Sequence, residues 1–131
     1  MHLHSKSFVS FVSADRRTYG CPQGKYVESV GELLPLELKD RAAKLYNAPV
    51  ANMYGSEEMN GIAYECPFHQ MHILSENVYV ECQNITGTHP FGQGEAIITN
   101  LVNKAMPLIR YNQGDIITLE NLYRPCPCGS T

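Results

Sequence analysis

The sequence of 131 residues contains no apolar run of the ~18–20 residues that a membrane-spanning helix needs, so no membrane partner is expected. Its first residues lack the pattern of a signal peptide, which favours a cytoplasmic protein. An excess of charge of one sign is also lacking. The formal net charge of -3 gives no reason to propose nucleic acid as a partner.

The number of cysteines is not even. The sequence contains five: Cys21, Cys66, Cys82, Cys126 and Cys128. With no secretory signal, an odd count argues against a disulfide framework and favours reduced thiols that are buried or bound to metal. Cys82 alternates with Val78 and Val80 and is predicted to lie in the core, whereas Cys21 has no assigned role.

A strand–helix–strand unit opens the main domain, which we place at residues 25–131 after an uncertain segment at residues 1–24 containing one plausible strand, Phe8–Val12. Lys25–Val30 and Val50–Tyr54 are the predicted strands. Between them, Pro35 suits the first turn of a helix that ends at Asn47. Apolar residues at helical spacing predict its buried face: Leu34, Leu38, Ala42 and Leu45. Such a unit is a parallel crossover.

Short β-like runs separated by Gly, Asn and Pro fill the rest of the chain: His72-Ile73, Val78–Cys82, Glu95–Thr99, Pro107–Tyr111 and Ile116–Leu119. The Asn84–Gly94 stretch is predicted to be a wide hairpin loop. The expected fold class is therefore α/β, with a β-α-β edge of a mostly parallel sheet followed by an antiparallel β meander or partial barrel.

Two polar motifs follow predicted strands, Tyr54–Glu58 and Arg110–Asp115. An aromatic ring at the first turn can stack on a planar ligand, and Glu58 offers oxygen to magnesium. In the second motif, a turn at Gly114-Asp115 would present a carboxylate to a sugar diol. The alternatives are a solvated surface loop and an ordinary hairpin, and spacing alone favours the loop for the first motif.

Cysteine and histidine cluster twice, as Cys66-Pro67-Phe68-His69 followed by His72, and as Cys126-Pro127-Cys128. A pair from each cluster would make the four tetrahedral ligands that zinc prefers. The alternative is a set of separate reduced thiols, and spacing alone leaves the two interpretations level.

Several motifs in one order extend these patterns, and they share a resemblance over residues 26–131: Tyr54–Ala63, Glu65–Pro67, Met71–Ile73, Gly94–Leu101, Met106–Tyr111, Gly114-Asp115 and Cys126–Gly129. In this content and spacing the chain resembles the phenylacetate–CoA ligase family of the acyl-adenylate-forming superfamily, which includes capsule-biosynthesis adenylyltransferase-like members.

The resemblance implies an AMP-forming ligase that activates a carboxylic acid, such as the aryl acid phenylacetate, with ATP and transfers it to coenzyme A. The chain would be a partial AMP-binding domain that ends before the hinge and carboxy-terminal domain. Tyr54 would stack on adenine, Asp115 would hold the ribose hydroxyls, and Glu58 would be the catalytic magnesium-binding carboxylate. Further residues would contact the nucleotide: Gly31, Glu32, Gly55, Ser56 and Glu57.

The chain departs from the family pattern at several points. Glu57 stands where the family has a phosphate-contacting Thr, and Asn112 and Gln113 stand where it has Arg and Thr. The Ser/Thr/Gly-rich phosphate loop and the catalytic lysine do not occur in these residues. We therefore expect the isolated chain to be inactive.

Zinc-containing members of the family bring the corresponding residues together, which implies a structural zinc at Cys66, His72, Cys126 and Cys128. His72 is preferred to His69 because it matches the Met-His pair of the family. A homodimer is left open as the oligomeric state. The alternative function is a non-catalytic, zinc-stabilised interaction module.

Overall fold

A computed structural model describes residues 8–12, 26–84, 87–89, 92–120 and 125–130. The predicted loop at residues 15–24, with Cys21, lies outside the described residues. Among the described residues, no helix is long and apolar enough to cross a membrane.

Nine strands and one helix follow one another along the described chain: β1 (Phe8–Val12), β2 (Tyr26–Val30), α1 (Leu36–Tyr46), β3 (Val50–Ser56), β4 (Asn60–Glu65), β5 (Met71–Ile73), β6 (Val78–Asn84), β7 (Gly87–His89), β8 (Gly92–Asn100) and β9 (Tyr111–Leu119). The first sheet has the order β1-β2-β3-β4-β5, and the second has the order β7-β6-β8-β9.

The α/β fold class with a mostly parallel sheet is wrong. The predicted crossover is present, since β2 and β3 pair in parallel around α1, with Val27 beside Val50 and Val30 beside Met53. Every other pair of described strands is antiparallel. Parallel neighbours need a crossover connection, usually helical, whereas short turns connect antiparallel ones. With one helix among the described elements, the protein is mostly β, with two antiparallel-rich sheets.

Helix α1 keeps its predicted ends but not its predicted buried face. Pro35 lies immediately before its first turn. Asn47 ends it in the left-handed conformation, at φ 49°. Leu38 and Leu45 are 44% and 77% exposed, whereas Lys39 is only 5% exposed. The periodicity of the leucines was misleading because a buried carboxylate, Glu65, attracts Lys39 to the sheet.

One predicted loop and one predicted turn lie in strands instead. Strand β7 lies within the predicted Asn84–Gly94 loop. Ile116–Leu119 is in a strand as predicted, but Pro107–Tyr111 is not a separate strand before it. Strand β9 is continuous from Tyr111 to Leu119 and carries Gly114-Asp115 inside it.

The register of β9 accommodates that Gly-Asp pair by a bulge. Ile116 pairs with Glu95 and Asn112 with Ile97, so residues 113–115 face the single residue Ala96. Gly114 has φ +81°, a conformation that glycine adopts without strain. The bulge replaces the predicted turn.

The apolar core lies between the two sheets, and its buried members come from β4, the turn before it, β6 and β8: Met59, Ile62, Val78, Val80, Ala96 and Ile98. Cys82 is fully buried, as predicted, and its Sγ donates to the carbonyl of Gly92 at 3.2 Å. The core joins the sheets next to Tyr54, which packs against it.

Candidate functional site

Two Cys-Pro turns of the same form face each other beyond the end of β4. The backbone N–H of His69 donates to the carbonyl of Cys66 at 2.9 Å, and that of Gly129 donates to Cys126 at the same distance. The last residue of each turn is left-handed, with φ 59° at His69 and 87° at Gly129. Proline at the second position favours such turns because its φ is already fixed.

The turns and strand β5 bring together the four predicted metal ligands, Cys66, His72, Cys126 and Cys128. Their ligand atoms all lie within 4.8 Å of one another. Cys66 and Cys126 are buried, at 2% and 8% exposure, and the other two are half-buried. These four residues, the metal group, could hold a metal ion.

The distances within this group can be compared with those of a zinc site. Tetrahedral bonds of ~2.3 Å to sulfur and ~2.0–2.1 Å to nitrogen give sulfur–sulfur edges of about 3.8 Å and sulfur–nitrogen edges of about 3.5 Å. The Sγ atoms of Cys66 and Cys126 are 3.7 Å apart. Cys128 Sγ and His72 Nε2 are 3.4 Å apart. Both the donor set and its spacing are therefore compatible with zinc.

The pKa values of the two thiols in the second Cys-Pro turn are shifted in opposite directions. The backbone N–H of Ser130 donates to Cys128 Sγ at 3.4 Å and lowers the pKa of that thiol. The pKa of Cys126 is raised, because burial and the neighbouring thiols outweigh a backbone hydrogen bond from Cys128 that lowers it. Crowded thiolates repel one another, and a bound cation removes that repulsion.

Tyr64 supports the ligand group from the adjacent strand. Its hydroxyl and that of Ser130 are 2.7 Å apart, so one donates to the other. Its ring lies 5.6 Å from the imidazole of His72, centroid to centroid, at 35°. Tyr64 thus contacts residues on both sides of the group.

The two polar motifs meet between the sheets. The hydroxyl of Tyr54 on β3 donates to Oδ2 of Asp115 on β9 at 2.7 Å, and two residues along, Ser56 Oγ donates to Gln113 Oε1 at 3.3 Å. Alternate residues of a strand point to the same face, so the contacts form two rungs. Burial, the hydrogen bond and the charge of Asp115 raise the pKa of Tyr54 above its ordinary value.

Gly55 lies between the two rungs. Its motif suggested a glycine needed for the backbone dihedral angles of a sharp turn, and the structure shows a different reason. It is not in a positive-φ conformation. A Cβ there would lie 2.2 Å from the carbonyl oxygen of Asn60, so the close approach of β3 and β4 requires glycine. The turn itself comes later, at residues 57–59.

The other predicted nucleotide contacts lie near this junction without joining it. Glu57 is exposed and Glu58 is half-buried, and neither makes a side-chain hydrogen bond or ion pair to another described residue. Gly31 and Glu32 are exposed directly after β2. Val30, the last residue of β2, pairs with Met53 of β3. Gly31 and Glu32 therefore leave β2 at the level at which Tyr54 lies in β3.

A buried polar cluster was missed from the sequence. The ammonium of Lys39 forms an ion pair with Oε1 of Glu65, and the two side chains are 6% and 7% exposed. Oε2 of Glu65 accepts from the backbone N–H of Asn52 at 2.8 Å and from its Nδ2 at 2.9 Å. His69 Nδ1 lies 2.8 Å from Oε1. The available signal was a charged residue immediately before the first cysteine of the metal group.

These contacts control the ionisation of Glu65. Burial raises the pKa of this carboxyl, but the hydrogen bonds from Lys39, Asn52 and His69 outweigh it and hold the pKa below its ordinary value. The carboxylate is therefore the resident form, and it is satisfied on both oxygens.

A known protein is similar to part of the chain. No family model matches the chain. A stretch of 84 residues is 32% identical to Protein CapK of Staphylococcus aureus, covering 64% of this chain. That stretch is 18% of the length of Protein CapK, so the chain is similar to one part of that protein.

Proposed function

We propose that the chain is part of the nucleotide-binding region of an AMP-forming acid–thiol ligase of the phenylacetate–CoA ligase type. The observation that carries the proposal is the hydrogen bond of 2.7 Å between Tyr54 and Asp115, which are 61 residues apart in sequence. A family motif matched by chance has no reason to meet its partner motif in space. The similarity to Protein CapK adds support over part of the chain.

In this proposal, each meeting residue has a chemical task. Oδ1 of Asp115 makes no hydrogen bond to a described residue, so it is available to accept from a ribose hydroxyl. Tyr54 orients that carboxylate through its hydroxyl while offering its ring face to adenine. Glu58 would hold Mg²⁺ at the phosphates, and the acyl group of an aryl acid would pass from AMP to coenzyme A.

Isothermal calorimetry with AMP tests this, using the protein encoded by the complete reading frame around the chain. Asp115→Ala should weaken AMP binding roughly 10- to 100-fold, because a charge-assisted hydrogen bond contributes ~1.5–3 kcal/mol. Glu76→Gln, at an exposed turn position, is the matched control and should bind normally. The wild type should bind the 2′-deoxy form of AMP more weakly than AMP. The Asp115→Ala variant should bind the two nucleotides with equal affinity. No binding of AMP or ATP by the complete protein would contradict the ligase proposal.

The metal is proposed to be one structural zinc per chain. Four protein ligands leave no position open for water, which is the arrangement of structural rather than catalytic zinc. Elemental analysis of protein purified without added metal should find zinc, and Cys126→Ser should lose it. His72→Ala should lose zinc, whereas His69→Ala should keep one zinc per chain, bound less tightly than in the wild type because it loses a contact to Glu65 and no ligand. The reverse result for the two histidines would reassign the ligand.

A second candidate function is a non-catalytic interaction module that zinc stabilises. The gathering of the four donor atoms within 4.8 Å of one another favours it, because such a group requires no nucleotide. It predicts bound zinc together with no affinity for AMP or ATP in the complete protein. The same calorimetry therefore distinguishes the two candidates.

A further inference from the structure

Between the metal group and the turn after β2 there is a continuous run of direct polar contacts. Asn52 Oδ1 accepts from the backbone N–H of Leu34 at 2.9 Å, and its Nδ2 lies 3.4 Å from the carbonyl of Leu34. The same amide and its backbone N–H bind Glu65. Glu65 immediately precedes Cys66 and contacts His69 in the Cys-Pro turn.

We propose that Glu65 and Lys39 are a positioning pair that couples the metal group to the Gly31–Leu34 segment. The inference rests on the proposed function in one respect, namely that the four-donor group binds a metal. It assigns a role to a buried ion pair that neither the ligand set nor the Tyr54–Asp115 contact uses.

The carboxylate of Glu65 is suited to this role because it has several partners on different elements. Lys39 holds it from α1, Asn52 holds it from β3, and His69 ties it to the turn that carries Cys66. His69 is otherwise exposed, with 61% of its side chain accessible, so its position depends on the turn and on this carboxylate. Metal at Cys66 would fix the turn, and the turn would fix the carboxylate.

The far end of the run lies at the predicted nucleotide contacts. Leu34 follows Gly31 and Glu32 by a few residues, and both of its backbone polar groups meet the side chain of Asn52. A metal that orders Glu65 therefore orders Asn52 and, through it, this segment. Coupling is reciprocal, so loss of the Glu65 contacts should weaken the metal in turn.

The direct test is amide hydrogen exchange of the chain with and without cobalt(II), a spectroscopic substitute for zinc. Cobalt should slow exchange of the Leu34 N–H at least about tenfold. Exchange of the amides of β6 and β8, which lie in the other sheet, should change less. In Asn52→Ala, cobalt should still bind but the response of Leu34 should disappear, which loss of general stability would not produce.

Cobalt affinity gives the second measurement, read from the thiolate-to-cobalt absorption band. Glu65→Gln should bind cobalt roughly tenfold more weakly, as for other residues that orient metal ligands. Glu76→Gln is the control and should bind as the wild type does. If Glu65→Gln does not fold, Lys39→Met/Glu65→Gln removes the unpaired buried charge and should show the same weakening.

The outcomes separate the two proposals. Cobalt binding with unchanged Leu34 exchange would overturn the coupling and leave the metal site intact. No cobalt binding by the wild-type chain would overturn the metal site, and the coupling with it.

Discussion

The first sheet buries a polar cluster beside its apolar residues, whereas the buried residues of the second sheet are mostly apolar. Around the first sheet, charged and amide groups are enclosed: Lys39, Asn52 and Glu65 are each about 5–6% exposed. In the second sheet the core cluster contains Val80, Ala96 and Ile98, and Asn100 at the end of β8 is a buried polar side chain. Apolar packing tolerates exchange among side chains of similar volume, whereas a buried polar network requires specific partners. We infer that the packing of the first sheet depends on specific polar partners, which we call specification by pairing. The packing of the second depends on the volume of its apolar side chains, which we call specification by volume.

Breaking the ion pair should have the largest effect. Lys39→Met leaves the carboxylate of Glu65 buried without its cation, and we expect a loss of about 3–5 kcal/mol in the free energy of unfolding. Urea denaturation measures it. The second substitution in Lys39→Met/Glu65→Gln should restore part of the loss, since no unpaired charge remains. A double variant that is less stable than Lys39→Met would contradict specification by pairing.

A cavity in the second sheet should cost a similar or smaller amount, but without a polar rescue. Ile98 is fully buried, and Ile98→Ala should lower the free energy of unfolding by about 2–5 kcal/mol. Ile98→Val should lower it by only about 0.5–1.5 kcal/mol because volume is nearly kept. Ile116→Ala, at a residue 65% exposed, is the control and should change it by less than about 0.5 kcal/mol. Equal losses for the three variants would refute specification by volume.

A smaller effect is expected at Gly55, where strands β3 and β4 approach each other closely. Gly55→Ala places a methyl group against the backbone oxygen of Asn60 and should cost about 1–3 kcal/mol. Gly61→Ala is the matched variant, because its Cβ would meet the end of the Met53 side chain, which can move. Thermal unfolding of the two variants should rank Gly55→Ala as the less stable, and the opposite order would count against the close approach.

The smallest effect should come from the contact between the sheets. Tyr54→Phe removes an exposed hydrogen bond and should cost no more than about 0.5–1.5 kcal/mol. Because the pKa of Tyr54 is raised in the folded state, this stability is fully present below the unfolded pKa of about 10. It is lost as pH rises through the folded pKa. The stability difference between wild type and variant should therefore be larger at pH 8 than at pH 11, as measured by urea denaturation. A difference independent of pH would exclude the bond.

Local chemistry made part of this structure predictable. Spacing alone left a metal site level with separate thiols, and the family resemblance selected the four Cys and His residues that the structure brings within 4.8 Å of one another. Pro35 and Asn47 marked the region of α1 because each restricts the backbone at a helix end. The fold class failed because one crossover was extended to a whole sheet, and strand pairing depends on residues far apart in sequence.

The buried face of α1 and the bulge of β9 failed for related reasons. Lys39 is buried by a partner 26 residues away, which no helical periodicity can indicate. Gly114-Asp115 has the composition of a turn, but bulges use the same residues for the same backbone freedom. Only the pairing of β8 and β9 distinguishes the two. Whether Tyr54 and Asp115 bind a nucleotide stays a prediction.

The facing Cys-Pro turns have a consequence for the unfolded chain. Cys66 and Cys126 are 60 residues apart in sequence with their sulfurs 3.7 Å apart. An added two-electron thiol oxidant, such as a diazene, should therefore join them in metal-free protein by taking up two electrons and the two thiol protons, and mass spectrometry would detect the loss of two hydrogens. The resulting loop would enclose every strand from β5 to β9. By the loop-closure relation, such a cross-link lowers the entropy of the denatured chain enough to stabilise the fold by about 4 kcal/mol. The same bond would remove two ligands, so oxidised protein would be resistant to denaturation and unable to take up metal.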